Sequence, residues 1–557
     1  MSLRPAPLPI ARRAALAAAA GLVASSSLAR AGEGHFQPAG PEFLVNASTA
    51  YNQYWPRVGI APDGSRLSFC FANGQDPCAR QFLASGMPAT GNLACNPTLS
   101  QHVQDEPEIC YSTTGHQLVA WSERYGYDGE IMGIFGRIFS ASGVATGPEF
   151  QINQIWQASQ WRPLIAGRPD GKWLVMWSGD WDGDAMFRIV NPDGTFFSPD
   201  IRVNTFDNGA QVDTAGAAAP NGRMLLVFVD FSGYGGVGTG TNLWVRLYDA
   251  NGLPVQAAPV PLNTASFTAT DQREPRVAAD GLGRFIVTWE DQSKDGSGYG
   301  IFARRFSNDG AALGTEFQVN ANALGSQRNP KICADAVGNF IIAWEDRATG
   351  DSDVRAQRFD AQGQRLGAEF LVNTVTAGDQ KSIGLATHPT SGLVAFSFES
   401  PGVSTDAFGR IFTTYRAPTP YCNAKLNSIG CLPAITAVGS PSVTGAGTAL
   451  RVGASSMLNQ KSGLLFWGRA GGSVAYYGGT LCVRPPVTRT SIQQSGGSSS
   501  GTDCTGSYAF DFTAAYMALK GLTSGDTVYA QWWSRDPGFV GAQAVSLSNA
   551  VEFDITP

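Results

Sequence analysis

An Asn that closes an E-F-x-V-N-like phrase recurs at Asn46, Asn96, Asn153, Asn204, Asn263, Asn320 and Asn373. A Gln follows each one: Gln53, Gln104, Gln160, Gln211, Gln272, Gln327 and Gln380. An aromatic residue closes a later apolar run in every copy: Phe71, Trp121, Trp177, Phe228, Trp289, Trp344 and Phe398. Three independent markers give one count, seven, at a spacing that belongs to solenoids, propellers or arrays.

Each copy holds four strand-like runs. In the fifth they are "PRVAAD", "RFIVTWED", "YGIFARRF" and the "TEFQVN" that opens the next phrase. The runs alternate or are rich in β-branched residues, and Gly, Asp, Asn or Pro separates them. Four antiparallel strands per repeat make a propeller blade. The chain opens with a lone fourth strand, Glu42 to Asn46. The seventh copy has only three, "SIGLATH", "LVAFSFES" and "AFGRIFTTY". The orphan strand completes the last blade and removes the exposed edges of an open array. The expected fold is all-β, a seven-bladed β-propeller closed by its N-terminal strand, over residues 40–415. "YRAPTPYC" then supplies a Pro-containing linker, 416–421. Residues 422–557 leave the repeat and carry runs such as "SGLLFWG" and "TVYAQWW", which read as a small β-sandwich.

Residues 1–31 read as an export signal. Arg4, Arg12 and Arg13 precede the Ala-rich run Ala14 to Leu22, and Ala29-Arg30-Ala31 offers a small-x-small cleavage site. Both the general and the twin-arginine export routes stay open. No later segment has the ~18 unbroken apolar residues of a spanning helix. Without the signal the chain keeps 35 basic and 45 acidic residues with no Lys/Arg run, which argues against a nucleic-acid partner. The expected location is extracellular, periplasmic or at the cell surface.

Nine Cys in such a chain favour disulfides. Cys422 with Cys431 and Cys482 with Cys504 are the simplest pairs in the C-terminal domain. Alignment of the first copy to the fifth puts Cys78 opposite Cys95 on the third and fourth strands, a third expected pair. Cys110 and Cys333 share one first-strand slot and read as small buried residues. Cys70 is left undecided.

Within a blade, tight turns such as "APDGS" and "NPDGT" fall on one face. The long, varied loops fall on the other, where binding is expected. That face is rich in rings, and the candidate ligand contacts are Tyr54, Trp55, Tyr125, Tyr127, Trp156, Trp161 and Trp181. Rings beside amides and carboxylates suit sugars, with their apolar faces and hydroxyl edges. The bland alternative is that the rings pack between loops. The repeated Gln is read as satisfying loop backbone groups where copies meet, and the repeated aromatic as core. Asp180, Asp182 and Asp184 alternate in "GDWDGD" and could converge oxygens on calcium. Their Gly spacing is not that of an EF-hand, and a solvated acidic turn is the other reading. No other cofactor is implied. The His residues at 35, 102, 116 and 388 have no metal-ligand spacing, and neither a G-x-S-x-G elbow nor a P-loop occurs.

"YCNAKLNSIGCLPAI", "GLLFWG", "GGTLCVRPPVTRT" and "QWWSRDPGF" resemble a C-terminal domain attached to varied secreted proteins of planctomycetes and similar bacteria. The repeats resemble the E-F-x-V-N, W-x-D and D-G-x-G repeats of large secreted bacterial proteins. The resemblance implies an exported, modular, surface-associated bacterial protein and brings no catalytic residue with it. The function expected first is binding or adhesion to a glycan or other surface polymer through the long-loop face. A structural or assembly module comes second, and a polysaccharide hydrolase or lyase using channel carboxylates third.

Overall fold

The computed structural model describes residues 35–49, 51–98, 103–124, 132–155, 159–179, 183–206, 209–231, 240–262, 270–292, 294–402, 404–415, 418–443, 448–523 and 525–556. The expected export signal lies outside these residues. The fold is nearly all β. Among the described residues the one α-helix is Ala514–Leu519, which an all-β reading did not anticipate; the Thr513 hydroxyl accepts from the Tyr516 amide at its start.

Six sheets have four antiparallel strands each, in sequence order, as propeller blades do. The fifth runs Gln272–Ala279, Phe285–Gln292, Tyr299–Phe306, Phe317–Gln318. In the seventh, Lys381–Thr387, Val394–Pro401 and Thr405–Tyr415 take their fourth strand from the far end of the chain. Phe43 pairs with Gly409 and Leu44 with Phe408. A further strand, His35–Pro38, pairs with the end of the same third strand. This further strand lies ahead of residue 40, where the repeat pattern places the start of this region.

Side chains repeat this closure. Asn373 accepts from the Val354 amide at 2.7 Å and donates to Asp353 at 2.8 Å, within one sheet. Asn46 does the same with the Ala407 amide at 3.0 Å and Asp406 at 2.9 Å, across the whole repeat region. The first strands pack one on the next, and Lys381–Thr387 packs on Gln53–Ile60. The repeated aromatics are at most 1% exposed, buried against the preceding sheet: Trp121 lies with Cys70 and Cys95, Trp289 with Leu225 and Val227, Phe71 with Ala395.

In the C-terminal region, a sheet built on Ser462–Gly468, Thr527–Arg535 and Val545–Asp554 shares one core with the sheet Ala434–Val438, Leu450–Met457, Gly506–Phe512. Trp532 lies fully buried there, stacked on Tyr508.

The disulfides differ from the expected ones. Cys422 is joined to Cys482 and Cys431 to Cys504, in place of the two short-range pairs. Nearness in sequence misled, because Thr419–Tyr421 and Gly479–Val483 both lie beside Val545–Asp554, which brings the distant cysteines together. Cys78 and Cys95 are both free. Cys78 pairs in register with Ala94, so strand alternation turns Cys95 to the opposite face. One thiol enters the core shared with the seventh sheet, the other the core shared with the second. Cys70 is buried and free.

Candidate functional site

Six of the seven first strands open on the repeated Gln, and Gln380 directly precedes the seventh, Lys381–Thr387. All seven Gln are buried. The Gln327 side chain accepts from Asn320 at 2.9 Å and donates to Asp346 at 3.0 Å; Gln211 does the same with Asn204 and Asp230. In these copies the Asn and Gln markers form one buried bridge between sheets, as a structural reading of the ladder expects. Loop carbonyls take part as expected: Gln53 donates to Tyr51 at 2.5 Å, Gln327 to Leu324 at 2.9 Å and Gln380 to Ala377 at 3.3 Å, beside side-chain partners that the expectation did not name.

Two residues after each Gln the strand departs from regularity. Trp55, Glu106, Arg162, Asp213, Glu274, Asn329 and Ser382 all have φ between +50° and +58°. Each sits at a shift in register, a β-bulge. None is Gly, and each such conformation costs about 1 kcal/mol or more. The bulge amides of five are held by the residue that follows the buried aromatic of the preceding sheet. Arg162 donates to Ser122 at 3.2 Å, Asp213 to Ser178 at 2.9 Å, Asn329 to Glu290 at 3.0 Å and Ser382 to Glu345 at 2.8 Å. Trp55 donates to Glu399 at 2.8 Å.

All seven bulge residues line a single cavity of about 220 Å³. Arg162 is its electrostatic centre, bonded to Asp213 at 2.5 Å and Glu274 at 2.9 Å, with Glu106 at 3.6 Å. Arg276 takes the other oxygen of Glu274 at 3.1 Å, and Arg57 bonds Glu108 at 2.7 Å. Burial raises the Glu106 carboxyl, and burial together with Glu274 raises that of Asp213. Burial acts the same way on Glu274, but Arg276 and Arg162 outweigh it and pull that carboxyl down to about 2. Beneath lies a second chamber of about 310 Å³, walled by all seven first strands. Gly59, Cys110, Cys333 and Ala386 line it, so the shared Cys slot faces this chamber.

Of the expected ligand contacts, Trp55 lines the upper cavity. Tyr54 lies against it at a ring distance of 5.7 Å, and the Trp161 ring lies under the Arg162 guanidinium at 5.1 Å. Tyr125, Tyr127, Trp156 and Trp181 lie outside the described residues, as do Asp180 and Asp182. The Asp184 carboxylate accepts from Asn204 at 2.8 Å and pairs with Arg202 at 2.9 Å. Among the described residues no group of three or more His, Cys, Asp or Glu is placed to hold a metal ion. The charged residues of the cavity were missed from sequence. The signal for most of them is positional: apart from Glu345, each stands two or four residues after one of the repeated Gln.

The chain matches no family model and no curated protein. Among solved structures it is similar to an ulvan lyase of a polysaccharide lyase family (9% identity, TM-score 0.45, 69% of this chain and 96% of that one). It is also similar to an α-L-arabinanase of Penicillium chrysogenum (12% identity, TM-score 0.41, 57% and 96%). A third is a β-propeller domain from Myceliophteria thermophila (11% identity, TM-score 0.37, 67% and 100%).

Proposed function

We propose that the seven sheets form a closed seven-bladed β-propeller over residues 35–415, followed by a β-sandwich at 422–557. We propose further that this is an exported glycan-binding protein that takes a sugar residue into the mouth of the propeller channel. The two disulfides fit an oxidising compartment. The observation that carries the reading is the convergence of seven non-glycine bulges on one cavity. Strained backbone kept in every repeat, with a side chain that varies from repeat to repeat, is how a rigid ring presents a set of specific contacts. Hydroxyl-bonding groups (Glu106, Asp213, Asn329, Ser382) stand beside the Trp55 ring, the pairing a pyranose needs. At about 220 Å³ the cavity is smaller than the ~300–1,000 Å³ of sites that enclose drug-sized ligands, so it suits one sugar residue at a chain end.

The test is a glycan array probed with the exported protein and with Trp55→Ala plus Trp161→Ala. Binding to a defined saccharide set that the folded double variant loses supports the reading. Silence of the folded native protein across the array ends it.

A hydrolase or lyase is the second reading. Its support is that Glu106 and Asp213, both raised by burial, face one cavity and one arginine. Release of reducing ends from a polysaccharide panel would favour it over simple binding.

A further inference from the structure

The residues four positions after each Gln form a second tier of the channel, and its charge is opposite to that of the bulge ring. The bulge ring carries Glu106, Asp213 and Glu274 against Arg162 alone. The second tier carries Arg57, Arg276 and Lys331 against Glu108 alone. These four second-tier side chains line both the upper cavity and the lower chamber, and so form a collar between them. Two of the cations are engaged. Arg57 bonds Glu108 at 2.7 Å and the carbonyls of Pro56 and Ser382 at 3.1 Å. Arg276 bonds Glu274 at 3.1 Å and the Pro275 carbonyl at 2.7 Å. Lys331 has no ion pair or hydrogen-bond partner of its own among the described residues.

An ammonium enclosed beside two guanidiniums is costly unless something negative meets it. We infer that the collar of Lys331, Arg57 and Arg276 receives the anionic group, carboxylate or sulfate, of an acidic sugar whose ring occupies the cavity above. This rests on the glycan-binding reading and narrows its substrate class to acidic saccharides. Lysine serves such a contact as a point charge, while the two arginines, already oriented by Glu108 and Glu274, add field without needing to move.

A proton signature follows. Burial, then Arg276 and Arg57, hold the Lys331 amine well below its ordinary value; Glu274 and Glu108 act the other way. Glu345, on the adjacent strand, also interacts with it. The unliganded amine therefore gives up its proton at a lower pH than a free lysine does. An arriving anion raises its proton affinity, so binding takes up a proton.

The experiment is calorimetry on the full protein with D-glucuronate, a glucose sulfate, D-glucose and inorganic sulfate, each in two buffers of different ionisation enthalpy. An acidic sugar, carboxylated or sulfated, is expected to bind about tenfold or more tighter than glucose, in line with one added charged hydrogen bond. Its heat should report net proton uptake. Lys331→Gln should lose both the preference and the uptake. Lys331→Arg, permanently charged, should keep the preference and lose the uptake, which a merely structural lysine would not do. If glucose binds as tightly as both acidic sugars, or the preference survives in Lys331→Gln, the inference falls and the glycan reading stands. If inorganic sulfate binds through Lys331 but no sugar does, the collar stands as an anion site and the glycan reading falls. If nothing binds, both fall.

Discussion

The Trp55 backbone amide donates to Glu399 Oε1 at 2.8 Å, linking the bulge of the first sheet to the second strand of the seventh. Glu399 follows the buried Phe398, as Ser178 follows Trp177 and Glu345 follows Trp344, and those residues hold the bulges of Asp213 and Ser382. Strand alternation explains the pairing. With the aromatic turned into the core between sheets, the next residue points the other way and meets the following bulge. The same local rule thus also joins the first sheet to the seventh. Glu399→Ala leaves a strained amide with no acceptor, and should cost about 1–3 kcal/mol in denaturant unfolding. Unchanged stability would show that the bulge holds itself.

Non-reducing peptide mapping should recover Cys422 linked to Cys482 and Cys431 linked to Cys504, with Cys78 and Cys95 as free thiols. Burial raises the Cys78 thiol to about 11, and burial also holds the Cys95 thiol well above its ordinary value. Both should therefore resist alkylation in the native protein and react after unfolding. Recovery of a Cys78–Cys95 peptide would contradict the register that separates them.

Arg162→Gln should destabilise the protein by about 1–3 kcal/mol at neutral pH, a figure reduced because the guanidinium is 41% exposed. The loss comes from three carboxylates left facing one another. It should shrink as pH falls, since protonating Glu106 and Asp213, already raised, relieves the repulsion. In the native protein Glu274 works in the opposite sense. Its carboxyl is depressed from 4.5 to about 2, so its contribution is full above 4.5 and is lost as pH falls towards about 2. Thermal unfolding of both proteins between pH 2 and pH 7 separates the two effects. A penalty that does not vary with pH would mean the arginine acts by packing alone.

The repeat was legible because its markers do closely related jobs from copy to copy. Asn320 and Gln327 bond each other, and Trp344 fills the gap between sheets, a place that Phe71, Phe228 and Phe398 take in other copies. The cavity was not legible for the complementary reason. Position two after the Gln is Trp, Glu, Arg, Asp, Glu, Asn and Ser in turn, so no motif marks it. Its common property is a left-handed backbone, which only Gly or Asn would advertise in a sequence. The bulge also adds a residue to the strand, so counting alternation from Gln53 does not carry through to Ile60. The looked-for face was therefore the loops, whereas the side chains that converge stand on the strands they lead into.

Among the seven bulge residues Trp55 is the least suited to its backbone, at φ +51°, and Asn329 the best suited, at +53°. A large aromatic residue held there needs a reason outside folding. Trp55→Asn supplies the test. Asn accepts the left-handed region, and the Glu399 bond uses only the backbone amide, so it is kept. The half-buried indole touches Tyr54 and the cavity and is absent from the core between sheets, so little packing is lost. Stability should therefore be unchanged or rise by about 0.5–1 kcal/mol. Saccharide binding should fall sharply, because the one ring that lines the cavity is gone. If instead Trp55→Asn destabilises the protein and leaves binding intact, the indole is packing material, and the cavity recognises its ligand through its polar groups alone.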